Sequence, residues 1–246
     1  MNSTISGNTV GDDFGAGGGI AAQGPLTIQN STFQDNGAWG VYNGASGGGV
    51  YAAGNSSISG STFSGNSASA NYCDWAEQYS CDSHGGAIAN LGVMTITNST
   101  LSGNETLKHG GGLANYNDAT IINTTITGNV GGGVQGNDAF RNTITRFQRA
   151  IVSGNAGNEV VLVNESSNSN SAVVNKHNVF GRNNNAGLAG FSQGETDIVP
   201  TVGLNSILSP LANNGGLTQT HALPAGSPAI DLAPNPDCTA APVNGL

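Results

Sequence analysis

Charge is what this sequence has least of. Only 9% of its 246 residues are charged, six basic against 15 acidic, for a formal net charge of −9. So few cations leave no basic face to track a phosphate backbone, and no nucleic-acid partner is expected. The acidic balance also disfavours anionic membranes. No apolar run reaches the roughly 18 residues that a spanning helix needs, so no membrane insertion is expected. Aromatic residues are sparse at 6%, and no segment carries the helical i, i+3, i+4 spacing of apolar residues. No leader segment is expected at the start of these residues. Met1 is followed at once by Asn2–Ser3–Thr4–Ile5–Ser6–Gly7–Asn8, already a repeat strand, so the chain is expected to begin inside a longer protein.

Cysteine is nearly absent as well. Cys73 and Cys81 share one inserted loop, where a disulfide would staple it and suit an oxidising compartment; two free thiols are the alternative. Cys238 is the odd one, in the tail, where a partner outside these residues could pair with it.

What the chain does have is glycine, 39 residues of it, regularly placed. Gly17–Gly18–Gly19–Ile20 returns as Gly47–Gly48–Gly49–Val50, Gly85–Gly86–Ala87–Ile88, Gly110–Gly111–Gly112–Leu113 and Gly131–Gly132–Gly133–Val134. A second mark, Phe33–Gln34–Asp35–Asn36, returns as Phe63–Ser64–Gly65–Asn66, Leu101–Ser102–Gly103–Asn104 and Ile126–Thr127–Gly128–Asn129. Asn8, Asn36, Asn66, Asn104, Asn129 and Asn155 are thus spaced by 25 to 38 residues. Short β-branched segments with period-two alternation precede each Asn, such as Leu26–Thr27–Ile28–Gln29 and Met94–Thr95–Ile96–Thr97.

Short strands between Gly and Asn corners fit a parallel solenoid. Leucine-rich repeats space their leucines differently, and propeller blades contain hairpins. The fold expected is all-β: a single-stranded right-handed parallel β-helix of about eight coils with a C-terminal cap. Residues 1–200 would hold the coils, and residues 201–246 the cap and a truncated tail of the same domain. Equivalent residues of successive coils then stack about 4.8 Å apart. Ile28, Ile58, Ile96 and Ile121 would form an interior ladder, and the corner asparagines an amide ladder. N-x-S/T triplets such as Asn30–Ser31–Thr32 read better as ladder positions than as glycosylation acceptors.

The C-terminal part is more specific. His177–Asn178–Val179–Phe180–Gly181, Leu208 to Leu223 with its Asn214–Gly215–Gly216 and Thr220–His221, and Gly226–Ser227–Pro228–Ala229–Ile230–Asp231 resemble the ending of choice-of-anchor Q domain proteins. The Gly and Asn signatures also resemble polymorphic outer-membrane-protein repeats. The resemblance implies a bacterial right-handed β-helix, secreted or on the cell surface, and carries no established catalytic set. The residues after Cys238 depart from that pattern, and no anchoring segment is expected among them. His221 and Asp231 fall inside the capping motif and are expected to be structural.

Loop length between the Asn and Gly corners varies most, and insertions on one face are where solenoids keep function. Aligning the Gly corners puts Ala16, Ser46, His84, His109 and Val130 at one position. Ser46 and His84, oriented by Asp82 or Glu77, could act as nucleophile, base and orienter in a hydrolase; His84, His109 and Asp82 could instead hold a metal, and polar corner residues are the plain alternative. Trp39, Tyr42, Tyr72, Trp75 and Tyr79 fall on the same loop face, with Asp12, Asp13, Asp74, Glu77, Asp82 and Lys108 beside them, a composition suited to a glycan. The aromatics could equally just cover their own loops. No cofactor or resident metal is expected, and no oligomeric state follows from the sequence. The expected function is that of an extracellular bacterial surface module binding a glycan or surface partner through this flank. A hydrolase acting on an ester or glycosidic bond and a passive spacer are the alternatives.

Overall fold

The computed structural model describes residues 2–41, 44–70, 82–136, 143–162, 171–174 and 176–234. The chain winds as a parallel β-solenoid of about six turns, against about eight expected. The difference arises at the C-terminus, where the chain leaves the coils and turns back along their side. The winding is right-handed, the sense in which strands joined by crossovers in one parallel sheet pack back on themselves.

One coil shows the plan. Thr32–Gln34 belongs to sheet I, Gly37–Gly40 to sheet II, Ala45–Ser46 to sheet III, Val50–Ala52 to sheet IV and Ser56–Ser59 to sheet V; Thr62–Ser64 then re-enters sheet I. Sheets I and IV have seven strands each and sheet V six, whereas sheets II and III have only four and three. Within each of these five sheets every pairing is parallel, between strands of successive coils.

Sheets I, IV and V enclose the core. Alternation in these short strands sends one side chain in and the next out. Ile28, Ile58, Ile96 and Ile121 stack in register as expected, and the column continues to Phe147. In sheet I, Phe33 and Phe63 stack with centroids 4.7 Å apart, and Leu101, Ile126, Val152 and Phe180 continue that column. Phe191 closes the far end, packing against Phe147 and Phe180 at 6.4 and 6.2 Å.

The asparagine ladder is continuous. Asn36 donates from its backbone N–H and its Nδ2 to Asn66 Oδ1, at 3.1 and 2.9 Å, and Asn66, Asn104 and Asn129 repeat this one coil on. Each Nδ2 also reaches a sheet I carbonyl, as Asn66 does with Phe33 at 3.0 Å. The ladder is polar: every rung needs an acceptor ahead of it. At its end Glu159 supplies one, its Oε2 accepting from Asn155 Nδ2 at 2.6 Å and N–H at 3.1 Å, and its Oε1 from Gly154 N–H at 2.7 Å. Burial pushes the Glu159 carboxyl up from its ordinary range, against these bonds from Asn155 and Gly154. A second carboxylate does the same work nearby: Asp197 Oδ1 accepts from Asn178 N–H and Nδ2, both at 2.9 Å.

The N-x-S/T triplets find their role at the turn from sheet V to sheet I. Asn30, Asn98 and Asn123 take left-handed φ of 49°, 48° and 47°, a conformation Asn tolerates. The next residue bonds between coils: Ser31 N–H to Ser61 Oγ at 3.1 Å, and Ser61 N–H to Ser99 Oγ at 3.2 Å.

Sheets II and III leave the core altogether. Ala38, Ala45 and Ala68, with Val10 against them, form a separate small cluster between the two sheets. The pair is therefore a thin fin projecting from the solenoid. Its base is pinched. A Cβ on Gly48 would lie 2.3 Å from the Ser67 carbonyl oxygen, and one on Gly86 would lie 2.5 Å from that of Glu105. The middle glycine of each Gly corner is thus required by backbone passing backbone.

The C-terminal cap is a strap along the outside of sheet I. Ile207 and Leu208 pack on the outward Val179, with Ile151, Leu204, Ala229 and Leu232 around them. Farther back, a short antiparallel pair, Leu211–Ala212 with Thr220–His221, docks on the middle coils. Thr218 Oγ1 donates to the Gly60 carbonyl at 3.1 Å, and His221 Nε2 lies 2.9 Å from Ser102 Oγ. His221 Nδ1 faces the Ser209 carbonyl at 2.6 Å, and since a carbonyl only accepts, that nitrogen carries a proton. His221 is structural, as expected, but it holds the strap to the middle of the solenoid.

Candidate functional site

The fin carries the described candidate residues. Its strands are Thr9–Asp12, Gly37–Gly40, Ser67–Ala70 and Glu105–Thr106 on one side, and Gly15–Ala16, Ala45–Ser46 and Ser83–His84 on the other. Ala16, Ser46 and His84 are in register, and His84 bridges to His109, so the expected ladder of Ser46, His84 and His109 exists. Val130 does not join it. It pairs instead with Glu105 and Ala156, because in that coil Asn129 runs straight into the Gly corner and no fin is built.

Alternation splits the candidates between two faces. Ala38 and Ala45 point into the fin, so Trp39 and Ser46 point out of it on opposite sides. On the Ser46 side the fin faces sheet IV across an acute notch. The His84 ring stacks on His109 with centroids 6.1 Å apart and meets Tyr116 edge-on at 5.7 Å. His84 is 8% exposed, and its Nδ1 has no hydrogen-bond partner. Burial lowers its pKa to about 4; His109 and Lys108 press the same way, and Asp82 opposes them. The imidazole is therefore neutral at neutral pH. Asp82 pairs with Lys108, an ion pair at the fin's tip with both side chains partly exposed. Among the described residues no hydrogen bond joins Ser46 to His84 or His84 to Asp82. What the notch offers is a desolvated, uncharged ring nitrogen beside a hydroxyl.

On the other face Trp39 is flanked in register by Gly11 and Ser69. A Cβ on Gly11 would lie 1.9 Å from the indole, so the ring lies directly over that glycine's backbone. Asp12, next along the strand, alternates to the side opposite Gly11; it is exposed at the end of its strand and accepts the Asp13 N–H at 2.8 Å. Phe14 and Leu107, on the fin's rim, are 43% and 56% exposed.

Tyr42, Tyr72, Trp75, Glu77 and Tyr79 lie outside the described residues, as do Asp74 and the three cysteines Cys73, Cys81 and Cys238. Among the described residues no group of three His, Cys, Asp or Glu side chains is placed to hold a metal, so His84, His109 and Asp82 do not form one. No helix among them is long and apolar enough to cross a membrane. Sequence reasoning missed Gly11, whose lack of a side chain seats the indole, and Tyr116, which faces His84. The first had a signal, a glycine inside a strand; the second depends on a fold-back that the repeat does not announce.

Fold and site define a parallel β-helix with a lateral fin. Compared with known families, characterised proteins and solved structures, the chain has no match.

Proposed function

We propose that the chain is a secreted or cell-surface module that binds a glycan or a surface partner through the fin. The observation that carries this reading is the Trp39 indole spread over Gly11 on the outer face of the fin. An indole face stacks on the C–H face of a sugar ring. The exposed Phe14 and Leu107 extend the apolar rim. The resemblance to choice-of-anchor Q domain proteins supports the location. A glycan array probed with the wild type and with Trp39→Ala tests it. Saturable binding that falls about tenfold in the variant is expected, since a stacked aromatic is worth about 1.4 kcal/mol. An empty array, or binding indifferent to Trp39, overturns the glycan reading.

A hydrolase is the second reading, favoured by the Ser46–His84–His109 register. A ring with a pKa of about 4 is a weak general base, so substrate would have to bring Ser46 and His84 into contact. Chromogenic esters and glycosides assayed with wild type and His84→Ala decide it. Turnover abolished by the variant supports this reading, and wild-type rates equal to buffer end it. Empty results in both assays leave a spacer.

A further inference from the structure

On the face of the fin that bears Trp39 the register runs unbroken from coil to coil. Gly11, Trp39 and Ser69 form one column. Thr9, Gly37, Ser67 and Glu105 form a second, two residues back along the same strands, so both columns project from one face. Glu105 lies two coils beyond Trp39, about 10 Å along the solenoid axis. Only Gly37, Ser67 and Ser69 stand between them, a low floor. Crowding does not impose the glycine, since a Cβ on Gly37 would meet nothing nearer than 3.6 Å. Glu105 is exposed, and its carboxylate enters no hydrogen bond or ion pair among the described residues. Lys108, the nearest cation along the chain, is taken by Asp82. The face therefore presents one flat apolar ring and one uncompensated negative charge, in a chain of net charge −9.

We infer that the glycan taken by the fin is an amino-sugar oligomer with free amines, lying along the solenoid axis; this rests on the reading that the fin binds glycans through Trp39. One ring stacks its C–H face on the indole. The ammonium of a sugar farther along the oligomer donates a charge-assisted hydrogen bond to the Glu105 carboxylate. Ser67 and Ser69 lie beneath the linkage, where their hydroxyls both donate to and accept from those of the sugars. The same charge decides against uronic and sialic acids. Their carboxylates would meet Glu105 with no cation in either column to offset the repulsion.

Calorimetric titration of the full chain with the glucosamine tetramer, its fully N-acetylated counterpart and tetragalacturonate tests the inference, in mildly acidic buffer where the amines are protonated. The free-amine oligomer should bind about fivefold more tightly than the N-acetylated one, the scale of an exposed charge pair. That margin should shrink as salt is added. Tetragalacturonate should not bind. Glu105→Gln, which alters only an exposed carboxylate, should erase the preference, and Trp39→Ala should weaken both glucosamine oligomers about tenfold. The inference is overturned if the N-acetylated oligomer or tetragalacturonate binds as tightly as the free amine, or if Glu105→Gln keeps the preference. Trp39-dependent binding of other glycans with no preference for amines removes the amino-sugar assignment alone. Empty titrations together with an empty glycan array overturn glycan binding by the fin as a whole.

Discussion

His84 is held neutral by burial, and that has a consequence for stability. Its folded pKa of about 4 lies below its ordinary 6.5, so on acidification the unfolded chain takes up the proton first. The contribution is fully present above about pH 6.5 and is lost as pH falls towards 4, for a total of about 3 kcal/mol. Urea unfolding of wild type and His84→Gln at about pH 7.5 and pH 4.5 reads this out: the variant should lose less stability between the two than the wild type. Equal losses would show that His84 does not titrate differently on folding. The amide ladder makes a second residue-scale prediction. Asn66→Ala removes two donations to neighbours and orphans the Asn36 donors, at a cost of about 3 kcal/mol. At the carboxylate that ends the neighbouring column through Asn178 the demand reverses. Asp197 takes donors on both oxygens, including Gly194 N–H at 2.9 Å on Oδ2. Asp197→Asn sets an amide N–H₂ against a donor and should cost about 1–3 kcal/mol despite being isosteric. Thermal or denaturant midpoints check both substitutions.

At the scale of the element, the fin is an appendage that the core does not require. The coil through Asn129 proceeds as Asn129–Val130–Gly131–Gly132–Gly133–Val134 with no fin, while the preceding one inserts residues 106–109 between Glu105 and Gly110. Deleting residues 106–109 makes the two coils the same length. The shortened chain should fold with the Leu113–Val134 register kept and lose no more than about 2 kcal/mol, mainly the Thr106–Ser83 bond and rim contacts. A far-UV spectrum and a single cooperative unfolding transition are the expected results; loss of cooperativity would show that the fin is part of the folding unit. This element also marks the limit of what the sequence disclosed. The Asn and Ile ladders were legible because one residue type recurs at one offset, and stacking needs nothing else. The Ser46, His84 and His109 register was legible for the same reason, being counted from the Gly corner. The fin was not. Ala38, Ala45 and Ala68 carry no pattern that separates a side arm from the core, and its strands are too short to show which face Trp39 takes. The two groups of candidate residues therefore read as one flank when they occupy opposite sides.

Across the whole molecule, the solenoid and its strap are joined by few bonds. Thr62, Gly60 and Ser102 meet the strap at Gln219, Thr218 and His221, and among the described residues the buried apolar cluster of the strap lies at the last coils. His221→Leu removes the links to Ser102 and Ser209 together. Amide exchange at Ala212 and His221 should then accelerate about tenfold, while Phe63 and Leu101 inside sheet I stay protected. Acceleration at all four would show that strap and solenoid open as one unit.

The polarity of the amide ladder gives the molecule the grammar of a growing polymer. Each coil ends in a reactive tip, a pair of N–H groups awaiting an acceptor, and another asparagine both satisfies that tip and renews it. A carboxylate satisfies it without renewal and so acts as a terminator. Glu159 terminates the ladder of corner asparagines, and Asp197 terminates the neighbouring column that runs through Asn178.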